Sequence, residues 1–406
     1  MAIDTRATLE HIRELIATPS ISSVSPEWDT PNAPVIAGLA ERLEANGWQV
    51  EILDIPDKPG KQNLIATLGP KTKPGQGSGL VLSGHTDTVP CDDALWASDP
   101  FTLTERDQRL YGLGSADMKS FLALAMSACA DLSHKDLIAP VILLATADEE
   151  SSMAGARALV EANRQKPLMN ARYALIGEPT GLKPIRMHKG IFMESIRIQG
   201  QSGHSSDPKL GNNALDGMHT LIGELHTWRD ELRSGPLNSA FAVPYSTLNL
   251  GHIHGGDNPN RICGECELQI DLRFVPSLNK DELRAELHQR LQRALAQHHP
   301  QLKLDFLTLF DGTQPMATAP ESELVKTVEA LTGSDAGAVS YATEAPFLTS
   351  LGMDVVVLGP GSIDQAHQPD EYIPLDQLRP TIELIQKLIQ RFCGRDLHDK
   401  HSNKNA

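Results

Sequence analysis

Short hydrophobic runs alternate with helical patterns along the first 184 residues. The run at 141–145 (VILLA) contains no polar residue, which is typical of a strand covered on both faces. Hydrophobic residues at helical spacing follow several runs, as at 119–132 and 154–163. Strands that alternate with helices predict an α/β domain whose mostly parallel sheet is flanked by helices. The predicted strands are 64–68, 80–82, 141–145 and 174–176.

The pattern changes over residues 185–310. At 267–274 hydrophobic and polar residues alternate, which predicts a strand with one face exposed to solvent. Asn279 precedes a leucine stripe at helical spacing and is expected to cap that helix. The predicted order is β-α-β-β-α-β, a ferredoxin-like unit. Since the α/β pattern returns at 311–393, the smaller domain is predicted to be inserted into the larger one. Residues 394–406 form a polar tail.

Charge narrows the range of partners. The 406 residues contain 36 Lys and Arg against 52 Asp and Glu, a formal net charge of −16 at pH 7. Neither nucleic acid nor an anionic membrane is attracted to an excess of carboxylate, so neither is expected as a partner. The length suits two or three domains.

Cysteine usage and the N-terminal residues indicate a compartment. Five cysteines are few and odd in number, which argues against a disulfide framework and for a reducing environment. Residues 1–5 (MAIDT) do not begin a basic region followed by an apolar core, so no secretory signal is expected. The apolar runs fall far below the ~20 residues of a membrane span. A cytoplasmic protein is expected.

Ionisable residues follow the predicted strands, where open α/β sheets place their sites. His85 and Asp87 are two residues apart and would project to the same side of an extended chain, as a metal-bound imidazole and its carboxylate partner do. A buried salt bridge would give the same pattern. Asp117 follows a glycine pair, and an isolated Asp there would equally cap the next helix.

Three carboxylates in a row, at 148–150, carry the strongest metal signal. Adjacent carboxylates repel each other unless a cation or a helix N-terminus neutralises them, and an acidic first helical turn remains the alternative. Glu178 ends another buried run, and His367 follows the strand predicted at 355–358. Two histidines with several carboxylates suit a pair of divalent cations such as Zn²⁺.

The segments SGHTDTVP, YGLGSADMK, ADEE, IGEPT and AHQPDEY together resemble the di-zinc aminoacylase, deacetylase and carboxypeptidase family of metallopeptidases. The resemblance implies a zinc-peptidase-like catalytic domain with two zinc ions per subunit, cobalt being a possible substitute. It implies that Asp117 bridges the two ions and that a cis peptide follows it. Glu149 would be the general base, and Asp87 would hold His85. The implied ligands are His85, Asp117 and Glu178 for one ion, and Asp117, Glu150 and His367 for the other.

The same resemblance implies roles in the inserted domain. His204, in GQSGHSSDP, would reach the partner subunit's site and stabilise the oxyanion, so the chain is expected to form a homodimer through this domain. Asn260 and Arg261 would bind the substrate α-carboxylate, which the guanidinium fork suits. Glu344 would meet a substrate ammonium group. The expected activity is hydrolysis of an N-acyl amino acid, and a non-catalytic binding protein on the same fold is the alternative from another class.

Overall fold

The computed structural model describes residues 5–70 and 78–395, and the chain forms two compact units. The first comprises residues up to Arg186, Thr318–Gly337 and the residues from Phe347 onward. The second comprises Met187–Ala317 and Ala338–Pro346. The sequence places the inserted domain at 185–310; the second unit extends further because its last long strand runs to Thr313. Most of the predicted polar tail, 396–406, lies outside the described residues.

Helices and strands occur along both units. The helices in the described ranges are α1 (Thr5–Ile16), α2 (Ala33–Ala45), α3 (Lys119–Ala128), α4 (Ala154–Gln165), α5 (Ala214–Ser234), α6 (Lys280–His298), α7 (Glu323–Thr332), α8 (Ala345–Ser350) and α9 (Leu378–Phe392). The strands there are β1 (Gln49–Asp54), β2 (Gln62–Leu68), β3 (Leu80–His85), β4 (Thr104–Arg106), β5 (Arg109–Tyr111), β6 (Val141–Thr146), β7 (Tyr173–Pro179), β8 (Ile185–His188), β9 (Gly190–Gln199), β10 (Thr247–Gly255), β11 (Glu265–Phe274), β12 (Lys303–Thr313), β13 (Met316–Ala317), β14 (Gly337–Val339), β15 (Asp354–Gly359) and β16 (Tyr372–Pro374).

A sheet with a parallel centre forms the middle of the first unit. Its strands lie in the order β1-β2-β6-β3-β7-β15-β8. The four central strands β6, β3, β7 and β15 are parallel, whereas β1, β2 and β8 pair antiparallel at the edges. Every residue of β3, β6 and β7 is buried, as their uninterrupted apolar runs require. The predicted α/β class with a mostly parallel sheet is confirmed.

Close packing of α3 against the sheet explains one glycine of the motifs. A Cβ on Gly177 would lie 1.9 Å from Cγ of Phe121, a buried residue of α3. Only glycine lets the helix approach β7 this closely. The next residue, Glu178, therefore sits at the end of β7 directly beside the residues that precede α3.

The second unit has the ferredoxin-like topology that the pattern predicts. Its antiparallel sheet has the order β10-β11-β9-β12, and α5 and α6 pack on it. Asn279 accepts hydrogen bonds from the backbone N–H groups of Asp281 and Glu282, so it caps α6 as expected. The hydrophobic core of the second unit includes Phe192, Ile196, Ile198, Met218, Leu221, Leu225, Trp228, Leu268, Ile270, Leu272, Phe274, Leu287 and Leu291.

Two elements differ from the sequence expectation. Helix α3 ends at Ala128, before the predicted 132, and Met118 rather than Asp117 is its N-cap residue. A small three-stranded sheet, β16-β5-β4, pairs strands too short to show a periodic pattern. None of the helices in the described ranges is long and apolar enough to cross a membrane.

Candidate active site

His85, Asp117 and Glu178 meet where β3 and β7 end. Nε2 of His85 lies 3.0 Å from Oδ1 of Asp117 and 3.8 Å from Oε1 of Glu178. All three residues are buried. One imidazole nitrogen and two carboxylate oxygens thus face a common space, which is a donor set that Zn²⁺ accepts.

The second oxygen of Asp117 faces another pair of donors. Nε2 of His367 lies 3.6 Å from Oδ2 of Asp117 and 2.9 Å from Oε2 of Glu150. The two oxygens of Asp117 therefore lie near different histidines, which is the arrangement that a bridging carboxylate needs. The peptide bond between Asp117 and Met118 is cis, as the resemblance implies.

Asp87 contacts two of the predicted ligands, but not as expected. Nδ1 of His85 lies 3.0 Å from the backbone carbonyl oxygen of Asp87 and 3.7 Å from its carboxylate Oδ1. The other carboxylate oxygen accepts the backbone N–H of Glu150 at 3.1 Å. Because Thr86 still pairs with Thr146, the chain keeps the direction of β3 and the Asp87 side chain faces the turn after β6. Asp87 thus links His85 and Glu150 through its main chain and its side chain.

The clustered carboxylates are electrostatically strained. Burial raises the pKa of Glu149 well above its ordinary value, and the charge of Glu150 adds to this effect. Burial and the neighbouring Asp117 likewise raise the pKa of Glu178 well above its usual range. Burial also opposes ionisation of Asp117, but the hydrogen bond with His85 and the charges of His85 and His367 together outweigh it and lower the pKa of Asp117. A divalent cation would stabilise all of these carboxylates in the charged form.

Two overlapping groups of side chains can hold a cation. Ligand atoms of His85, Asp117 and Glu150 lie within 4.8 Å of one another, and so do those of His85, Glu149 and Glu178. The second group contains Glu149, for which the resemblance implies the role of base. The donor types and the mutual repulsion of the carboxylates both fit divalent cations.

Comparison with known proteins identifies the family. The family model described as peptidase family M20/M25/M40 matches residues 81–391. Over 385 residues the chain is 47% identical to the acetylornithine deacetylase of Proteus mirabilis, covering 95% of this chain and 96% of that protein. The chain belongs to peptidase family M20/M25/M40. It is therefore a hydrolase, and the family resemblance of the motifs is confirmed.

Solved structures of other peptidases share the fold. A tripeptidase from Staphylococcus aureus matches with a TM-score of 0.73 and 18% identity, over 96% of this chain and 99% of that one. A dinuclear metal-binding M20 peptidase from Bacillus subtilis matches with a TM-score of 0.63 and 12% identity, over 95% and 98% respectively. At these identities the likeness concerns the architecture.

The remaining predicted residues of this M20 chain lie in the second unit. His204, Asn260 and Arg261 are exposed. Two backbone contacts join their loops: the Ser205 N–H donates to the Asn260 carbonyl at 3.1 Å, and His204 pairs with Arg261 in an antiparallel β-bridge. Nη1 of Arg261 lies 2.6 Å from Oδ2 of Asp257. These residues therefore form one polar loop cluster.

Hydrogen bonding defines the tautomer of His204. Glu344 is not part of the polar loop cluster: it lies far from these residues in the sequence and is buried, whereas they are exposed. Nδ1 of His204 accepts the backbone N–H of Ser206 at 3.2 Å. In a neutral imidazole the proton is then on Nε2, which makes that atom a donor. Glu344 is buried, next to the N-terminus of α8.

Sequence reasoning missed a buried ion pair made by the first residue of the acidic run, Asp148. Asp148, which has a φ of +57°, lies 3.0 Å from Nζ of Lys61 and 3.1 Å from Nζ of Lys58. Burial opposes the charge of Lys61, but the hydrogen bonds with Asp29 and Asp148 and the charges of these two carboxylates together outweigh it and hold the pKa of Lys61 above its ordinary value. This pair anchors the turn that carries Glu149. Lys61 lies in a polar loop without a pattern that could have revealed it.

Replacing Lys61 with Met is expected to lower the free energy of unfolding by about 3 kcal/mol, because it leaves a buried carboxylate short of a cation. Urea denaturation followed by circular dichroism measures this loss. Lys58→Met is the matched control: the Lys58 side chain is 36% exposed, so its loss should stay below about 1 kcal/mol. Equal losses in the two variants would contradict the anchoring role of Lys61.

Proposed function

We propose that this protein hydrolyses N2-acetyl-L-ornithine to L-ornithine and acetate, within arginine biosynthesis. The identity of 47% to an acetylornithine deacetylase, over nearly the full length of both chains, carries the proposal. Long segments of the sequence, among them TADEESSMAGAR and LGPGSIDQAHQPDEY, also resemble that enzyme. The site supports the reaction class, because it combines two sets of cation ligands with a neighbouring carboxylate, Glu149.

The proposed cofactor is a pair of Zn²⁺ ions, with Co²⁺ as an alternative. One ion would be held by His85, Asp117 and Glu178, and the other by Asp117, Glu150 and His367. Such ions lower the pKa of a water molecule and polarise an amide carbonyl. The paired distances from the two oxygens of Asp117 to His85 and His367 support this assignment. The likeness to the Bacillus subtilis protein, a dinuclear metal-binding peptidase, supports it as well.

Glu149 transfers the proton in the proposed mechanism. Its carboxylate takes a proton from the attacking water while the oxygen of that water adds to the acetyl carbon. The C–N bond then breaks, and Glu149 gives the proton to the departing α-amine. Acetate and ornithine leave, and the carboxylate is regenerated. Asp87 contacts His85 and Glu150 and so holds the segments after β3 and β6 in place.

Groups of the second unit are proposed to bind the substrate and the oxyanion. Arg261 and Asn260 would hold the α-carboxylate; a guanidinium has five N–H donors, so Arg261 can keep Asp257 while binding a second carboxylate. The buried carboxylate of Glu344 would face the side-chain ammonium of ornithine. Nε2 of His204 would donate a hydrogen bond to the developing oxyanion.

A homodimer formed through the second unit is part of the proposal. Strand β10 lies at the edge of its sheet, and Ile253 on this strand is 51% exposed. An edge strand offers backbone N–H and C=O groups to another chain. In the proposed dimer a second copy pairs there and His204 acts at the partner's site. All five cysteines lie within the described residues and are free thiols, which supports a cytoplasmic location.

A kinetic panel tests the substrate. The kcat/KM for N2-acetyl-L-ornithine should exceed that for N-acetyl-L-methionine and for N-succinyl-diaminopimelate by about tenfold or more. The methionine side chain has no ammonium group for Glu344, and the diaminopimelate derivative has an ammonium group but adds carboxylates at its far end and on its acyl group. Preference for either competitor would replace the proposed substrate with another N-acyl-amino-acid or succinyl substrate. Inactivity of the zinc-loaded protein on all three would favour a binding role.

Replacement of Glu149 with Gln separates a base from a ligand. We expect kcat to fall by about 10²- to 10⁴-fold while two zinc ions per chain remain, because the amide cannot accept the proton. Metal analysis after dialysis and steady-state kinetics measure the two effects. Glu161→Gln, on the exposed face of α4, is the matched control and should change neither. Loss of a zinc ion in the Glu149 variant would make this residue a ligand instead.

Mixed dimers test whether His204 acts across the interface. The His204→Ala variant alone should lose about 100-fold in kcat or more, as expected for one oxyanion donor. When it is mixed and reassociated with the Glu149→Gln variant, activity should recover to about a quarter of the native value, because half of the dimers then contain one complete site. Mixed dimers no more active than their parents would place His204 in its own subunit's site or outside catalysis.

A further inference from the structure

Glu371 is a buried carboxylate outside the proposed ligand set. The residue is 2% exposed, and its side chain accepts hydrogen bonds from three backbone N–H groups of the loop that carries Asp117. Oε1 accepts those of Ala116 at 2.7 Å and of Asp117 itself at 3.0 Å, and Oε2 accepts that of Gly114 at 3.1 Å. A carboxylate is an acceptor only, so it matches three convergent donors.

The main chain at Glu371 adds to this connection. Its carbonyl oxygen accepts the backbone N–H of Gly112 at 3.1 Å and the hydroxyl of Ser115 at 3.3 Å. The next residue, Tyr372, pairs with Tyr111 in the ladder of β16 and β5. The loop before Asp117 is therefore attached to one short segment near the end of the chain at several consecutive positions.

That segment also carries His367. Only three residues lie between His367 and Glu371, so the four Cα–Cα steps that join them span at most about 14 Å. Within it, Asp370 accepts the backbone N–H of Ala97 at 2.9 Å, which restricts the path further. Fixing Glu371 on the Asp117 N–H consequently limits how far His367 can move from the Asp117 carboxylate.

We propose that Glu371 is a positioning residue that sets the separation of Asp117 and His367 and thereby the affinity of the second cation site. The inference rests on the two-cation centre of the proposed function. The bonds from Glu371 reach the main chain of Asp117, so the carboxylate of Asp117 stays available for cations. Glu371 thus makes the two predicted ligands, which lie far apart in sequence, one structural unit.

Replacement of Glu371 with Gln tests this role. The amide nitrogen would place a donor against the loop N–H groups, so at least one of the three bonds is lost. Zinc titration by calorimetry should show two equivalents for the native protein. In the variant the weaker equivalent should lose about 10- to 100-fold in affinity, as when groups that orient metal ligands are removed. Added zinc should restore kcat, whereas the stronger equivalent should change little.

Asp364→Asn is the matched control, since this exposed carboxylate lies in the same region of the chain and its loss removes the same charge. Zinc titration of this variant should give the same two affinities as the native protein. Absorption of the cobalt-loaded proteins gives a second readout: the Glu371 variant should show an altered spectrum for the second equivalent only. A merely structural role would lower stability in urea and leave both affinities and the spectrum unchanged, and that result overturns the inference.

A shorter side chain keeps the test decisive if the Gln variant does not fold. Glu371→Asp retains the charge but is one methylene short of the loop, so the second equivalent should again weaken. Unchanged zinc binding in the Asp variant would also overturn the inference. Failure of the native protein to bind two zinc ions would instead contradict the two-cation centre, so the two failures are distinguishable.

Discussion

Repulsion among buried carboxylates is the constraint on which this site depends. Carboxylates outside the proposed ligand set have partners in the protein itself: Lys61 and Lys58 pair with Asp148, and three backbone N–H groups donate to Glu371, although burial still raises the pKa of Glu371 to about 8. Glu149, Glu150 and Glu178 face the centre and keep a raised pKa, whereas contacts with the two histidines lower the pKa of Asp117. Such a division of charge is costly in a protein that never binds cations, and it becomes favourable when cations complete it.

The parallel sheet is what brings these residues together. His85 ends β3, Glu149 and Glu150 follow β6, and Glu178 lies near the end of β7. Since parallel strands end at the same edge, residues far apart in sequence become neighbours there. This arrangement requires a sheet that is buried on both faces. Such a sheet forms only when its strands are apolar throughout and helices pack closely against it. The contact between Gly177 and Phe121 shows how tight this packing is.

Sequence reasoning predicts what periodicity and strand ends control. It places the buried strands, the β-α-β-β-α-β order and the residues now seen together around Asp117. It does not predict which atom of Asp87 holds His85, because that depends on the direction of the chain after β3. Lys61 and Glu371 were missed for a related reason: their partners are distant in sequence, and a lone Lys or Glu in a loop has no characteristic pattern. The three-residue strands of the small sheet are likewise too short to be periodic.

Exposure differs between the groups proposed for cations and those proposed for substrate. The ligands around Asp117 are mostly buried and are held by main-chain contacts, which suits atoms that must keep their positions within about 0.5 Å. His204 and Arg261 instead lie on exposed loops whose local bonds, to Ser206 and Asp257, leave donors free to meet a ligand. A substrate must enter and leave at every turnover, whereas bound cations remain. The two kinds of environment therefore follow from the two kinds of ligand.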